Sequence, residues 1–260
     1  MKQDLPSLFD LTNKTAVITG AGSGIGKAIA EAMGEAGANV ACIDVNEETS
    51  KETSEKLKKL NVHAIHIQCD VSKEKEVEKA FRKVVREFGR VDILFNNAGI
   101  SDGNEHVHRL SLDDWNRVIN INLTSIFLCG QQALRIMLKQ KSGRIINTGS
   151  IWAFRGSFPL MMVPPYHAAK GAVISLTKEM ALEYAKDGIN VNAIIPGFFA
   201  TNISGRMKDE KFQSILAPSI PLGKVGIPED VKGTALFLAS AASSYITGSV
   251  IVVDGGYMCK

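Results

Sequence analysis

Tyr166 and Lys170 stand four residues apart in the run Tyr166-His-Ala-Ala-Lys170, and on a helix that spacing sets an ammonium beside a phenol on one face. A free tyrosine ionises near pH ~10 and accepts no proton at neutrality, but a neighbouring cation favours the phenolate and draws its pKa down. The pair is therefore a candidate general acid/base. The same spacing arises by chance in many helices. Its meaning depends on Ser150, which precedes the tyrosine, and on a glycine cluster far upstream, Thr19-Gly-Ala-Gly-Ser-Gly-Ile-Gly26.

That cluster follows the short apolar run Lys14-Thr-Ala-Val-Ile-Thr19. It precedes apolar residues at helical spacing from Gly24 to Met33, so the segment reads as strand, turn, helix. Gly20, Gly24 and Gly26 allow a tight turn, with Ser23 and Ile25 among them, and backbone N–H groups at the helix start can approach a pyrophosphate. The pattern is G-x-x-x-G-x-G rather than the commoner G-x-G-x-x-G. Taken alone, it is also compatible with a simple turn. A second apolar run, Asn39-Val-Ala-Cys-Ile-Asp44, ends in a carboxylate about twenty residues further on, where an acid accepts bonds from an adenosine ribose. The same charge repels a 2′-phosphate, and no Arg or Lys stands beside it, so the sequence favours NAD over NADP. The alternative is that Asp44 only caps the following helix.

Strand-like runs recur at 62–69, 92–96, 144–148, 190–195 and 250–254, separated by helical patterns such as Ser72 to Phe88. There Val77, Phe81, Val84, Val85 and Phe88 form one apolar stripe. This alternation predicts an α/β fold, a parallel sheet covered by helices on both faces, with ligands bound beyond the carboxyl ends of the strands. Gly20, Asp44, Asp70, Asn96 and Ser150 all fall at such ends. Asp70 either contributes to that edge or caps the helix near Ser72, or does both. Asn96-Asn-Ala-Gly99 is a strand-ending turn whose amides could hold a cofactor. Asn122 sits in a helical pattern, where Asn is a poor former, and marks a kink, a buried amide or a functional position.

In 260 residues there is no linker, low-complexity tract or internal repeat, so one domain over 1–260 is expected. Thirty Lys plus Arg are interspersed with 27 Asp plus Glu, as on a solvated helix face, which gives no support to nucleic-acid binding. Cys42, Cys69, Cys129 and Cys259 lie far apart, the first three in apolar segments, which suits reduced thiols in a cytoplasmic protein; no metal site is expected. No run approaches a membrane span, and the N-terminus lacks the apolar core of a signal peptide.

In this order, the glycine loop, Asp70-Val71, Asn96-Asn-Ala-Gly99, Asn122, Ser150, Tyr166-x-x-x-Lys170 and Pro196-Gly-Phe-Phe-Ala-Thr201 closely resemble the short-chain dehydrogenase/reductase family over essentially the full chain. The resemblance implies a seven-stranded parallel Rossmann sheet and usually a homotetramer. It implies that Tyr166 is the acid/base, that Ser150 hydrogen-bonds the reacting oxygen and that Lys170 holds the nicotinamide ribose while lowering the tyrosine pKa. By the same resemblance Asn122 positions a water. The stretches around Gly20 to Gly26, Asp44, Asp70, Val71, Asn96, Asn97, Ala98, Gly99, Pro196, Gly197 and Thr201 contact the cofactor.

The segment between Ser150 and Tyr166 is longer than is common in the family and carries Trp152, Phe154, Phe158, Met161 and Met162. It is either a loop buried against another subunit or a pocket wall; in the second case Trp152, Phe154 and Met161 join Ser150 and Tyr166 as substrate contacts. If it is not the wall, the pocket lies near 101–108 and 198–216. An apolar lining favours a larger, greasier substrate. Leu8-Phe-Asp-Leu-Thr-Asn-Lys14, however, looks like family members acting on sugar acids and polyols. The expected activity is interconversion of a secondary alcohol and a ketone with NAD on a sugar, polyol or related hydroxy compound. The alternatives are a 3-oxoacyl-thioester reductase using NADPH and a non-catalytic NAD-binding regulatory protein; the second is expected to show erosion at the catalytic positions, but Asn122, Ser150, Tyr166 and Lys170 are all present.

Overall fold

The computed structural model describes residues 4–101, 105–157, 160–201, 203 and 207–260. Phe158 lies outside the described residues. Seven strands form one sheet: β1 (Thr15–Thr19), β2 (Asn39–Asp44), β3 (Ala64–Gln68), β4 (Ile93–Asn96), β5 (Gly143–Thr148), β6 (Ile189–Pro196) and β7 (Val250–Val253). Their order is β3-β2-β1-β4-β5-β6-β7, and every pairing is parallel. The fold is the doubly wound α/β sheet expected from the sequence.

The main helices are α1 (Gly24–Glu35), α2 (Glu47–Lys59), α3 (Glu74–Phe88), α4 (Leu112–Ile119), α5 (Ser125–Gln140), α6 (Pro164–Tyr184), α7 (Glu210–Leu216) and α8 (Lys232–Ala239). All five residues of β1 are buried because helices cover both faces of the sheet. Side chains alternate between those faces. Ala16 and Ile18 join Ile29 and Met33 of α1 and Leu238 of α8 on one side, while Val17 joins Phe81 of α3 and Met137 of α5 on the other. A third apolar cluster, including Trp152, Tyr166, Phe198 and Leu216, lies at the carboxyl edge of β5 and β6.

Two local expectations are corrected. On α3, Val77, Phe81 and Val84 are buried, but Val85 is 37 % exposed, because consecutive helical positions turn by ~100° and only one of the pair can face the sheet. The helix also starts at Glu74 rather than Ser72, since Asp70 Oδ1 accepts from both the backbone N–H and the hydroxyl of Ser72 and holds a turn there.

The chain runs from β1 outward through β2 and β3, then returns to the other side of β1 as β4. That reversal opens a crevice beyond the carboxyl ends of β1 and β4.

Candidate active site

A cavity of about 470 Å³ occupies this crevice, lined from Asp44 at one end to Ser150, Tyr166 and Lys170 at the other. Asp44 and Thr148 end β2 and β5, which are separated in the sheet by β1 and β4, so the cavity runs across the strand ends.

The glycine loop forms its floor. Gly20 turns the chain off β1 with φ +68°, a left-handed conformation that favours glycine. At Gly26 a Cβ would collide with the carbonyl oxygen of Gly20, so the third glycine serves the close packing of α1 against β1 and does not line the cavity. Gly20, Ser23, Gly24 and Ile25 do line it. Ser23 is the N-cap of α1 but makes no side-chain cap bond, leaving the first-turn N–H groups to an outside acceptor. Asp44 Oδ2 accepts from the Gly22 N–H at 2.8 Å and Oδ1 from the Asn46 N–H at 3.0 Å. The cap of α2 is Asn46, whose Oδ1 accepts from the Thr49 N–H, so the cap alternative for Asp44 fails. This donor set, a helix start short of acceptors and a carboxylate at the end of β2, fits the pyrophosphate and adenosine ribose of a nicotinamide dinucleotide.

Asp70, Val71, Asn97, Ala98, Gly99, Pro196, Gly197 and Thr201 line the same cavity. Asn96 does not. Strand alternation turns its amide into the interior, where it donates to Asn147 Oδ1 at 2.9 Å; Asn147 in turn donates to Thr177 Oγ1 on α6 at 2.9 Å. Asn96 thus ties the sheet to the helix that carries Tyr166 and Lys170. Asn97, its neighbour, cross-links two strand ends by donating Nδ2–H to the Thr19 carbonyl at 3.1 Å.

Asn122 lies in a π-helical turn, Asn120–Thr124, between α4 and α5. Its Nδ2 donates to the carbonyls of Ile100 (2.9 Å) and Val118 (3.0 Å), and its Oδ1 accepts from the Ile100 N–H (3.2 Å). Both amide protons are therefore used inside the protein, and the side chain is fully buried. The side chain braces the π turn against the loop after β4 with both amide protons, so a water positioned by Asn122 would have to bond one of its oxygens. Wide helical turns of this kind cluster at functional sites.

Ser150 follows β5 and caps a short turn at Ile151–Ala153, accepting from the Trp152 N–H at 3.2 Å. It is also hydrogen-bonded to Tyr166. Lys170 donates to the Thr148 carbonyl at 2.7 Å, and its Nζ stands 5.5 Å from the Tyr166 ring centre. The electrostatics depart from the sequence expectation. Burial raises the Tyr166 pKa above its usual 10, against a smaller lowering by Ser150, and burial also depresses Lys170 to about 8. In the protein alone burial outweighs any lowering of the phenol by the lysine charge, whose Nζ stands 5.5 Å from the ring centre.

Trp152 and Met161 line the cavity, joined by Phe198, Phe199, Ile203 and Met207. Phe154 does not; it is 49 % exposed, since the short turn after Ser150 ends there and its ring projects to solvent. Met162 is absent from the lining as well, whereas Ser101 contributes and its buried hydroxyl finds no partner among the described residues. The wall is thus built from both regions that the sequence offered as alternatives. The contribution of Thr148 is missed by sequence reading because a backbone carbonyl leaves no side-chain signal.

Among the described residues no group of three potential metal ligands occurs, and no helix is long and apolar enough to cross a membrane. Cys42, Cys69 and Cys129 are buried free thiols; burial pushes Cys42 and Cys69 up to about 12, which makes them unreactive.

A family model described as enoyl-(acyl carrier protein) reductase matches residues 20–258. The chain belongs to the short-chain dehydrogenase/reductase family. It is 39 % identical over 254 residues to a 2-dehydro-3-deoxy-D-gluconate 5-dehydrogenase of Dickeya dadantii, covering 97 % of this chain and 98 % of that one. Identity to a 3-oxoacyl-[acyl-carrier-protein] reductase FabG of Chlamydia pneumoniae is 40 % over 246 residues, covering 95 % and 97 %. Among solved structures, a gluconate 5-dehydrogenase from Burkholderia cenocepacia, in complex with NADP and tartrate, superimposes with a TM-score of 0.92 at 34 % identity, covering 99 % of this chain and 100 % of that one. This short-chain dehydrogenase/reductase is an oxidoreductase that interconverts a secondary alcohol and a ketone with a nicotinamide cofactor.

Proposed function

We propose that this enzyme acts on a hydroxyl of a sugar acid or polyol with NAD, using Tyr166 as the proton-transfer group. The observation that carries the reading is the convergence of Ser150, Tyr166 and Lys170 on one end of a cavity whose other end is Asp44. Bound there, the nicotinamide supplies the hydride acceptor or donor. Ser150 holds the substrate oxygen beside Tyr166. In oxidation the phenolate takes the hydroxyl proton; in reduction the phenol, which burial keeps protonated at neutrality, returns it. Lys170, fixed on the Thr148 carbonyl, holds a ribose hydroxyl and presents its charge to Tyr166. Asn122 acts through Ile100, keeping the loop after β4 at the height of the reacting oxygen. Gly20, Ser23, Gly24 and Ile25 hold the pyrophosphate, and Asp70, Val71, Asn97, Ala98, Gly99, Pro196, Gly197 and Thr201 the rest of the cofactor.

NAD is favoured because Asp44 would accept a ribose hydroxyl and repel a 2′-phosphate, and because Lys170, far from Asp44, is the sole cation among the described lining residues. The sugar-acid class is supported by the similarity to the Dickeya and Burkholderia enzymes. A second reading, reduction of a 3-oxoacyl thioester with NADPH, is favoured by the apolar wall of Trp152, Met161, Phe198 and Phe199 and by the chlamydial relative. The free buried thiols accord with a reducing, cytoplasmic setting. Exposed Leu112, Phe127 and Leu182 offer apolar surface for assembly into the homotetramer common in the family.

The deciding experiment is a spectrophotometric panel of sugar acids, polyols, simple secondary alcohols and hydroxyacyl thioesters with NAD and NADP. Preferential NAD reduction by a sugar acid or polyol is expected. Thioester turnover with the phosphorylated cofactor would replace this reading with the second, and cofactor binding without turnover on any member would indicate a non-catalytic protein.

A further inference from the structure

His167 follows Tyr166 on α6, and its ring points to the segment that leaves Ser150. Nδ1 lies 2.8 Å from the Trp152 carbonyl and Nε2 lies 2.7 Å from Ser157 Oγ, while that hydroxyl reaches the Met161 carbonyl at 2.8 Å. The imidazole and indole rings are also in contact, with centres 5.8 Å apart. One side chain therefore touches Trp152 directly and reaches Met161 through Ser157, and both Trp152 and Met161 line the cavity.

We propose that His167 is a positioning residue for substrate selection, clamping the Trp152 and Met161 wall to the helix that carries Tyr166. Trp152 is held from two sides: its N–H donates to Ser150 Oγ and its carbonyl accepts from His167. The place of Trp152 in the cavity wall is thus tied to Ser150 and to the neighbour of Tyr166. Met161 is held through Ser157, whose carbonyl also accepts from the Met161 N–H at 3.1 Å. Among the described residues between the short turn at Ile151–Ala153 and the start of α6 at Pro164 there is no other helix or strand, so these side-chain bonds do work that a backbone ladder does elsewhere. Nδ1 faces a carbonyl and must carry a proton; Nε2 exchanges with a hydroxyl that has a single proton of its own. A residue with a donor at one end, an acceptor at the other and this reach is needed, and a neutral histidine supplies it, sharing the single Ser157 hydroxyl proton with the Met161 carbonyl. From Trp152 the wall continues to Phe198 and Tyr257 through edge contacts at 5.8 and 6.3 Å, so releasing the clamp loosens more than one lining residue.

The inference rests on the Ser150 and Tyr166 site proposed above, and its test carries a readout independent of turnover. The chain has two tryptophans, so a Trp115→Phe background leaves Trp152 as the sole indole emitter. In that background His167→Phe, which keeps a ring but no nitrogens, and Ser157→Ala should red-shift Trp152 emission and raise its acrylamide quenching, while Ser157→Thr should behave as the parent. With the substrate found in the panel, both disabling variants should raise KM by about tenfold and alter substrate ranking, with a much smaller change in kcat and unchanged cofactor affinity. Circular dichroism confirms folding, and the serine variant stands in if the histidine variant fails to fold. Parent-like quenching in folded variants would overturn the clamp whether or not a substrate is known. A fall in kcat at unchanged KM would overturn it too, assigning His167 to the chemistry at Tyr166.

Discussion

Replacing Lys170 by Met should remove a stability cost along with the activity. Lys170 is 2 % exposed, and burial lowers its pKa from 10.5 to about 8. That fall corresponds to about 3 kcal/mol by which the fold disfavours the ammonium relative to the neutral amine. Below pH 8 folded and unfolded chains both hold the proton, and the wild type bears the whole penalty. Between about 8 and 10.5 the folded state releases its proton first, so wild-type stability rises with pH relative to a variant that has no such group. About 2 kcal/mol of the difference should be recovered between pH ~7 and ~9.5. Urea unfolding of wild type and Lys170→Met at both pH values, without added nucleotide, isolates this group because all others cancel in the difference. The loss of the bond to the Thr148 carbonyl offsets the comparison equally at each pH to first order. A stability difference that stays constant across that range would refute the account of Lys170 as a buried, destabilised cation.

Three further outcomes are expected. Asp44→Ala should weaken NAD binding and reduce discrimination against NADP, read from kcat/KM with each cofactor; a wild type that strongly prefers NADPH would show the Asp44 reasoning to be wrong. Met161→Ala should change KM or substrate ranking more than cofactor affinity, whereas Phe154→Ala should change neither, because only Met161 lines the cavity; equal effects would contradict that division. Because burial raises Tyr166, oxidation should accelerate as pH climbs through the alkaline range while reduction is sustained at neutral pH, and a flat profile for both directions would count against a titrating phenol.

The frame of the molecule was legible because a sheet covered on both faces writes itself as apolar runs separated by helical periods. All seven expected strands form, with ends shifted by a few residues. The glycine loop, Asp44 and the Tyr166 and Lys170 pair were legible for a different reason: their chemistry depends on residue type at short range. What escaped depended on direction and depth. Asn96 and Asn97 are the same residue type in adjacent positions, and only the pleat of β4 decides that one amide faces Asn147 and the other the strand ends. Trp152 and Phe154 are equally apolar in sequence, yet a single short turn buries one and exposes the other. The sign of the Tyr166 shift could not be read from a neighbouring lysine, since it is set by how completely both groups leave water. Asn122 revealed itself as an unfavourable helix residue, but the π turn and the bonds to Ile100 and Val118 that explain it are tertiary.

The most direct test of the central claim is turnover and cofactor binding by Tyr166→Phe, measured on the best substrate of the panel. The substitution keeps the ring in its buried setting and removes only the proton-transferring oxygen and its bond to Ser150. Turnover should fall by at least about 100-fold while nicotinamide cofactor affinity stays near that of the wild type. A folded Phe variant that turns over like the wild type would contradict the assignment of Tyr166, and with it the mechanism built on the Ser150, Tyr166 and Lys170 cluster.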